Sequence, residues 1–264
     1  MNDIDFNYKK ILPNTITMMA LGFGLSSLNM AYWGRFEMAI IFITLASIFD
    51  FMDGKVARFL GVSSKFGEEL DSLSDFVCFG VVPGIVMYFW TMDDMKKIEV
   101  FQNAVNQSEA VGVHWAVVLF LAMSCATRLA RFNAMISEKR PPYWKHFFTG
   151  VPAPAGGGIA ILPLILWLVT KADIFKSPVL VSCFLIFSGV MMASRLPTFC
   201  LKHIRIQKRS IHLLRIFLLL LICCLIGFPW VVLSFVGLAY LISLPVGFYF
   251  FLKWRKMYHA THKS

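Results

Sequence analysis

The chain has 264 residues, of which 58% are hydrophobic and only 15% charged, with a mean hydropathy of +0.69. Soluble domains usually carry about 25% charged residues, which excludes an ordinary soluble protein. The net charge of +10 does not indicate nucleic-acid binding, because the basic residues cluster between apolar segments, where membrane topology and anionic lipid explain them. Apolar stretches of about 17–23 residues recur, which favours membrane-spanning helices over an outer-membrane barrel.

The apolar stretches predict eight membrane spans in an all-α polytopic protein. The spans cover residues 12–31, 37–58, 73–92, 113–134, 153–170, 177–197, 211–228 and 230–252. Gly227, Phe228 and Pro229 predict a tight helix-breaking turn between the last two spans. No internal repeat stands out, so a single integral membrane domain over 1–264 accounts for the chain.

An even number of spans places both termini on the same side of the membrane. With the N-terminus in the cytoplasm, five of the 25 Lys and Arg residues fall on the outer side: Arg35, Lys96, Lys97, Lys171 and Lys176. The other 20 fall in or beside the cytoplasmic segments. This asymmetry follows the positive-inside rule, so we expect both termini to be cytoplasmic.

Four aspartates lie where the second and third spans meet: Asp50, Asp53, Asp71 and Asp75. The apolar run 38–49 before Asp50 crosses roughly 18 Å of a ~30 Å hydrocarbon core, which places Asp50 within the membrane. Unpaired carboxylates at that depth cost several kcal/mol each, so we expect a compensating cation.

The spacing of these aspartates predicts that they converge. Asp50 and Asp53 are three residues apart, so they share one helix face. Asp71 and Asp75 are four apart and share a face of the next helix, and the short link over 59–66 makes the two helices antiparallel neighbours. Like charges this close need cations, and hard oxygen ligands select Mg²⁺, Mn²⁺ or Ca²⁺. Four carboxylates can hold two such ions.

The residues around the aspartates are suited to a phosphate ligand. Gly54 and Ala57 continue the first aspartate face and leave room for a bulky group, and Arg58 adds a positive charge. Gly67 clears space on the next helix, and Ser64 offers a hydroxyl in the link. Taken singly, each glycine or aspartate is equally compatible with helix packing, but the full set on matched faces predicts a site.

The whole stretch, Asp50-x2-Asp53-Gly54-x2-Ala57-Arg58-x8-Gly67-x3-Asp71-x3-Asp75, resembles the signature of the CDP-alcohol phosphotransferases. The resemblance implies a six-helix membrane core that transfers a phosphatidyl group from a CDP-linked lipid to an alcohol hydroxyl and releases CMP. It also implies that Asp50, Asp53 and Asp71 bind a pair of Mg²⁺ or Mn²⁺ ions. Asp75 would bind one ion and act as the general base.

The resemblance further implies which residues contact the donor, CDP-diacylglycerol. These residues are Asn14, Thr17, Gly54, Ala57, Arg58, Ser64 and Gly67. Asn14 and Thr17, in the first span, are a looser match than the others.

Further segments resemble the bacterial membrane-embedded phosphatidylserine synthases within that family. The segments are 127–133, 148–155, 194–199 and 202–205. This resemblance covers most of a catalytic core at 12–210 and implies L-serine as the acceptor, in the bacterial inner (cytoplasmic) membrane, with the active site facing the cytoplasm. The last two spans, within 211–253, look like an addition to that core.

The carboxylate of serine needs a cation, which Arg128, Arg131 or Arg195 can supply. Asn133 closes the segment that contains Arg131. The same arginines are also ordinary positive-inside residues that bind anionic lipid, so both interpretations stay open. The expected partners are CDP-diacylglycerol, L-serine, CMP and membrane lipids, and a homodimer is left open.

Two other functions stay open at this point. Within the family, glycerol 3-phosphate or choline is an alternative acceptor, because the basic loops leave room for a second acidic substrate. A cation transporter also places carboxylates in membrane helices. A transporter usually distributes polar residues along a path through several spans, whereas the acidic residues here gather at one end.

Overall fold

The computed structural model describes residues 8–62, 64–97, 104–135, 147–199, 219–221 and 223–261. The helices are α1 (Tyr8–Tyr32), α2 (Phe36–Phe59), α3 (Lys65–Asp75), α4 (Val82–Lys97), α5 (Ala104–Ala134), α6 (Ala153–Thr170), α7 (Pro178–Ala193) and α8 (Pro229–Thr261). A π-helical segment, Phe76–Val81, joins α3 to α4, and a 3₁₀ turn, Asp173–Lys176, precedes α7. Two short strands, β1 (Phe147–Thr149) and β2 (Pro197–Phe199), pair antiparallel.

Five helical segments within the described ranges are long and apolar enough to cross a membrane. They are Ile11–Tyr32, Lys65–Met92, Val111–Ala134, Ala153–Thr170 and Pro229–Met257. The apolar helix α7 is shorter, and α2 has 24 residues but carries Glu37, Asp50 and Asp53. The predicted all-α polytopic membrane protein is confirmed, whereas half of the seventh predicted span, 211–228, lies outside the described residues.

The third predicted span, 73–92, is longer in the structure, where it begins at Lys65 and includes α3, the π-helical segment and α4. The hydropathy pattern did not predict its first turns as part of the span, because their residues are polar. Ser64 caps this helix, because its hydroxyl accepts a hydrogen bond from the Gly67 N–H at 3.0 Å. At the predicted C-terminal turn, Phe228 separates helical residues 223–227 from α8, which begins with Pro229.

Glycines let neighbouring helices approach closely around the π-helical segment. A Cβ added to Gly24 of α1 would lie 2.5 Å from Cys78 Sγ, and one added to Gly80 would lie 2.7 Å from Cys125 Cβ on α5. The helix that carries Asp71 and Asp75 is therefore held tightly between α1 and α5, as is common where small residues meet in membrane bundles.

Strand β1 precedes α6 and strand β2 follows α7, so their pairing holds the start of α6 next to the end of α7. The Gly150 N–H donates to the Leu196 carbonyl at 2.8 Å, and the Thr198 hydroxyl donates to the Gly150 carbonyl at 2.8 Å. Gly150 has φ +75°, and an added Cβ would lie 2.8 Å from the carbonyl oxygens of Met192 and Ser194. Only glycine fits at this position, so segments 148–155 and 194–199 have a structural role at this end of the bundle.

Candidate active site

Three of the predicted aspartates form a compact cluster. Oxygen atoms of Asp50, Asp53 and Asp71 all lie within 4.8 Å of one another, and Asp53 is only 4% exposed. The end of α2 supplies the first two residues, and α3 supplies the third. These carboxylates meet across the short link between the two helices, as their spacing predicts.

Asp75, at the end of α3, lies next to this cluster. Its carboxyl group lies close to that of Asp50. Its Oδ1 atom is buried and has no hydrogen-bond partner among the described residues. Oδ1 of Asp75 therefore has capacity to accept a proton or a hydrogen bond beside the cluster.

The cluster fits a divalent cation. Ligand oxygens bound to Mg²⁺ or Ca²⁺ lie about 2.0–2.6 Å from the ion, so oxygens of one shell are at most about 5 Å apart, as they are here. All donors are carboxylate oxygens, the ligand type preferred by Mg²⁺, Mn²⁺ and Ca²⁺. The charge of Arg128 acts on Asp50 and Asp75, but one guanidinium cannot balance four carboxylates. Two ions, and the metal-binding role of Asp75, stay predictions.

A pocket of about 240 Å³ opens beside the cluster, between α1, α2 and α3. It is lined by all seven residues predicted to contact the donor: Asn14, Thr17, Gly54, Ala57, Arg58, Ser64 and Gly67. Asp53 and Asp71 also line it, so the pocket is continuous with the carboxylates. The lining also includes Pro13, Val62 and Glu68. The signature spacing did not predict Val62 and Glu68, which lie between its fixed positions.

The two glycines of the signature have different surroundings. The only neighbour that an added Cβ on Gly54 would meet among the described residues is Arg58 Nη1, at 4.0 Å. On Gly67 it would lie 2.9 Å from Asn14 Oδ1 and 3.1 Å from Ser64 Oγ. Gly54 therefore keeps the pocket open for a ligand, whereas Gly67 lets α1 approach the start of α3.

Thr17 positions one of the carboxylates. This buried residue of α1 donates its hydroxyl hydrogen to Asp53 Oδ2 at 2.6 Å. Hydrogen-bond donors of this kind orient metal-binding carboxylates. Thr17 was predicted as a donor contact, and the structure gives it this second role.

Thr17→Val should lower kcat/KM for the lipid donor by about 10–100-fold, the usual cost of losing an outer-shell partner of a metal ligand. Val keeps the shape of Thr and removes the hydrogen bond to Asp53. The matched control is Thr15→Val on the same helix, because the exposed Thr15 hydroxyl bonds only to the Ile11 carbonyl among the described residues. Raised metal concentration should partly rescue Thr17→Val; equal, small effects of both variants would contradict the positioning role.

The predicted acceptor residues do not share one environment. Arg131 Nη1 donates to the carbonyls of Ala193 at 2.8 Å and Ser194 at 3.2 Å, at the C-terminal end of α7. Asn133 Nδ2 donates to Ser72 Oγ at 3.1 Å, which ties α5 to α3.

Arg195 is exposed, whereas Arg128 has buried Nε and Nη1 atoms without partners among the described residues. Of the four predicted acceptor residues, Arg128 is the one whose charge acts on the carboxylates. The predicted segment 202–205 lies outside the described residues.

The chain is similar to known proteins over most of its length. The model of the CDP-alcohol phosphatidyltransferase family matches residues 10–199. The chain is 30% identical to the CDP-diacylglycerol–serine O-phosphatidyltransferase of Mycobacterium leprae over 237 residues, 89% of this chain and 74% of that protein. It is 30% identical to the Helicobacter pylori enzyme of the same name over 210 residues, 79% of this chain and 80% of that protein. It is 31% identical to the archaetidylserine synthase of Methanothermobacter thermautotrophicus over 159 residues, 58% of each protein.

The family match includes every position of the aspartate signature and the strands that follow α5 and α7. The same residues build the carboxylate cluster and the adjoining pocket. The chain is a membrane enzyme and belongs to the CDP-alcohol phosphatidyltransferase family.

Proposed function

We propose that this enzyme transfers the phosphatidyl group of CDP-diacylglycerol to the hydroxyl of L-serine and releases CMP, with Mg²⁺ or Mn²⁺ at the aspartate cluster. The observation that carries the proposal is the continuity of the 240 Å³ pocket with Asp53 and Asp71, which suits a nucleotide diphosphate whose phosphates reach the carboxylates. The acceptor is inferred from the relatives named as serine phosphatidyltransferases.

The pocket offers suitable groups for the cytidine diphosphate part of the donor. Arg58 brings a positive charge to its wall, and the open side of Gly54 leaves room for a phosphate. The start of α3, capped by Ser64, also lies at the pocket wall, where the helix dipole favours an anion. The diacylglycerol tails then extend into the hydrocarbon between the helices.

Asp50, Asp53 and Asp71 are the residues that would hold the first cation, and Asp75 would join them for a second. Divalent cations held by these residues would neutralise the diphosphate and stabilise the leaving CMP. Thr17 keeps the Asp53 carboxylate in place for this purpose.

The chemical step exchanges a phosphoanhydride bond for a phosphate ester. The serine oxygen forms a bond to the phosphorus that carries diacylglycerol, and the bond from that phosphorus to the bridging oxygen breaks, so the bridging oxygen leaves with CMP. The proton of the serine hydroxyl goes to Asp75, whose Oδ1 has no hydrogen-bond partner among the described residues. Asp50 lies beside the Asp75 carboxyl group, so the base is next to the cluster.

The site lies at the end of the bundle where α2 ends and α3 begins. The positive-inside pattern supports a cytoplasmic location for this end and for both termini. We place the enzyme in a bacterial inner membrane, where water-soluble serine and cytidine groups arrive from the cytoplasm. We also propose one membrane domain over 1–264, with its catalytic core in 12–210 and an addition in 211–253.

Purified enzyme in detergent–lipid micelles should convert CDP-diacylglycerol to phosphatidylserine at a rate that depends on L-serine. Parallel reactions contain glycerol 3-phosphate or choline at the same concentration, and products are separated as lipids and as CMP. Serine should give the highest kcat/KM by at least about 100-fold, because a site that binds polar groups of one substrate rejects analogues that leave them unpaired. Preferential use of glycerol 3-phosphate or choline would overturn the serine assignment but not the family chemistry.

A further inference from the structure

Six buried side-chain nitrogen or oxygen atoms lack a hydrogen-bond partner within the described parts of the chain. Four of the six belong to only three residues: Oδ1 of Asp75, Nε and Nη1 of Arg128, and Oη of Tyr240. Buried polar atoms in proteins are normally hydrogen-bonded. A concentration of unpaired atoms around one charged group therefore indicates where a polar ligand binds.

Arg128 interacts electrostatically with both of the other residues. Its charge acts on the carboxyl group of Asp75 and on the hydroxyl group of Tyr240. The three side chains come from the end of α3, from α5 and from α8. Arg128 Nε and Nη1 bond directly to neither of the other two, so a ligand with acceptor oxygens can receive hydrogen bonds from both the guanidinium and the phenol.

Tyr240 is held in place by contacts of α8 on both sides of it. One turn earlier, a Cβ added to Gly237 would lie 2.7 Å from Leu162 Cδ1, so α8 packs closely on α6 there. Three turns later, the rings of Phe251 and Phe147 meet edge to face, with centroids 5.2 Å apart. These contacts fix the rotation of α8 and turn Tyr240 toward the bundle.

A cavity of about 280 Å³ lies beside Tyr240, between α2, α6 and α8. Ser47, three residues before Asp50 on α2, also lines it, whereas Arg128 and Asp75 are not among the described residues that do. Neither Arg128 nor Tyr240 is among the described residues that line the 240 Å³ donor pocket. Their atoms that lack partners within the described residues therefore lie outside the donor pocket.

We propose that Arg128 and Tyr240 together bind the carboxylate of the serine acceptor next to Asp75, an inference that rests on the proposed function. The Arg128 N–H groups and the Tyr240 O–H donate to the carboxylate oxygens, as charge-assisted bonds to an anion require. Serine carries its carboxylate and its hydroxyl on neighbouring carbons, so the hydroxyl then lies near Asp75 Oδ1. Tyr240 lies beyond residues 10–199, so α8 adds an acceptor-specific residue to the family core.

The principal variant is Tyr240→Phe, which keeps the ring and removes the hydroxyl. It should raise KM for L-serine by about 10-fold or more, the worth of a hydrogen bond to a charged group, and leave KM for CDP-diacylglycerol within about 2-fold. Tyr249→Phe on the same helix is the matched control, because Tyr249 is 64% exposed. Ethanolamine, which lacks only the carboxylate of serine, separates the two roles: its turnover, or its inhibition of serine turnover, should be unchanged in Tyr240→Phe.

The outcomes separate this inference from the function on which it rests. If the wild type does not use serine, the proposed function fails and the acceptor site fails with it. If the wild type uses serine but Tyr240→Phe behaves like Tyr249→Phe, only the role of Tyr240 is overturned. Equal losses with serine and ethanolamine, or a parallel rise in KM for CDP-diacylglycerol, would assign Tyr240 to packing and also overturn it.

Discussion

Asp50→Asn, Asp53→Asn and Asp71→Asn should each lower kcat by more than about 100-fold, beyond the roughly 10–100-fold that loss of an outer-shell partner costs. Each substitution replaces one of three carboxylates whose oxygens lie within 4.8 Å of one another, and an amide is a weaker ligand without charge. The measurement is CMP release from CDP-diacylglycerol at saturating serine, over a range of Mg²⁺ and Mn²⁺ concentrations.

The matched control for this set is Glu37→Gln. Glu37 lies on α2 with Asp50 and Asp53, but in the first turn at the opposite end of the helix, and it is exposed. It should retain near-normal turnover and insert into the membrane as the other variants do. Near-normal kcat in any of the three cluster variants at low metal would remove that residue from the metal site.

Asp75→Asn should lower the rate of the chemical step by roughly 10²–10⁴, the usual worth of general-base catalysis. Affinity for CDP-diacylglycerol should stay close to that of the wild type, because Asp50, Asp53 and Asp71 still form the compact group. The experiment pairs a donor-binding titration with single-turnover rates, so that binding and chemistry are measured separately.

Metal concentration distinguishes the two roles predicted for Asp75. If Asp75 is mainly a ligand, donor affinity and metal affinity should fall together with the rate in Asp75→Asn. Recovery of near-normal rate at high Mg²⁺ or Mn²⁺ would exclude the base role, since added cation can refill a weakened site but cannot accept the serine proton.

The convergence of the aspartates could be predicted because helix periodicity and a short link leave few alternatives. Asp50 and Asp53 share a face by their spacing, and the turn at Gly61, with φ +63°, reverses the chain over a few residues. The pocket beside the cluster could be predicted from the same local pattern, because its walls come from residues close in sequence, completed by the facing part of α1.

The hydrogen-bond register after Asp75 could not be predicted. The segment Phe76–Val81 adopts a π-helix, which offsets the faces of α3 and α4, and an apolar sequence does not distinguish the two helix types. Strands β1 and β2 are three residues long, too short to show a periodic pattern. Their pairing depends on Gly150, whose close contacts with the end of α7 are visible only in three dimensions.

The choice among the arginines also required the structure. Arg128 and Arg131 are three residues apart and equally basic in sequence, yet Arg131 bonds to the end of α7 while Arg128 acts on the carboxylates. Tyr240 carried no signal at all, because a lone tyrosine in an apolar helix is usually a packing residue. Its hydroxyl, which has no partner in the described parts of the chain, becomes informative only when α8 is packed against α6.

The most direct test of the account is the stoichiometry of a single reaction. Purified wild-type enzyme is freed of metal with a chelator and given CDP-diacylglycerol and L-serine, and CMP and phosphatidylserine are quantified before and after excess Mn²⁺ or Mg²⁺ is added. The account predicts no product in the chelator, then equal amounts of CMP and phosphatidylserine once the cation is restored. Undiminished product formation in the chelator, or CMP release without a matching serine lipid, would contradict it.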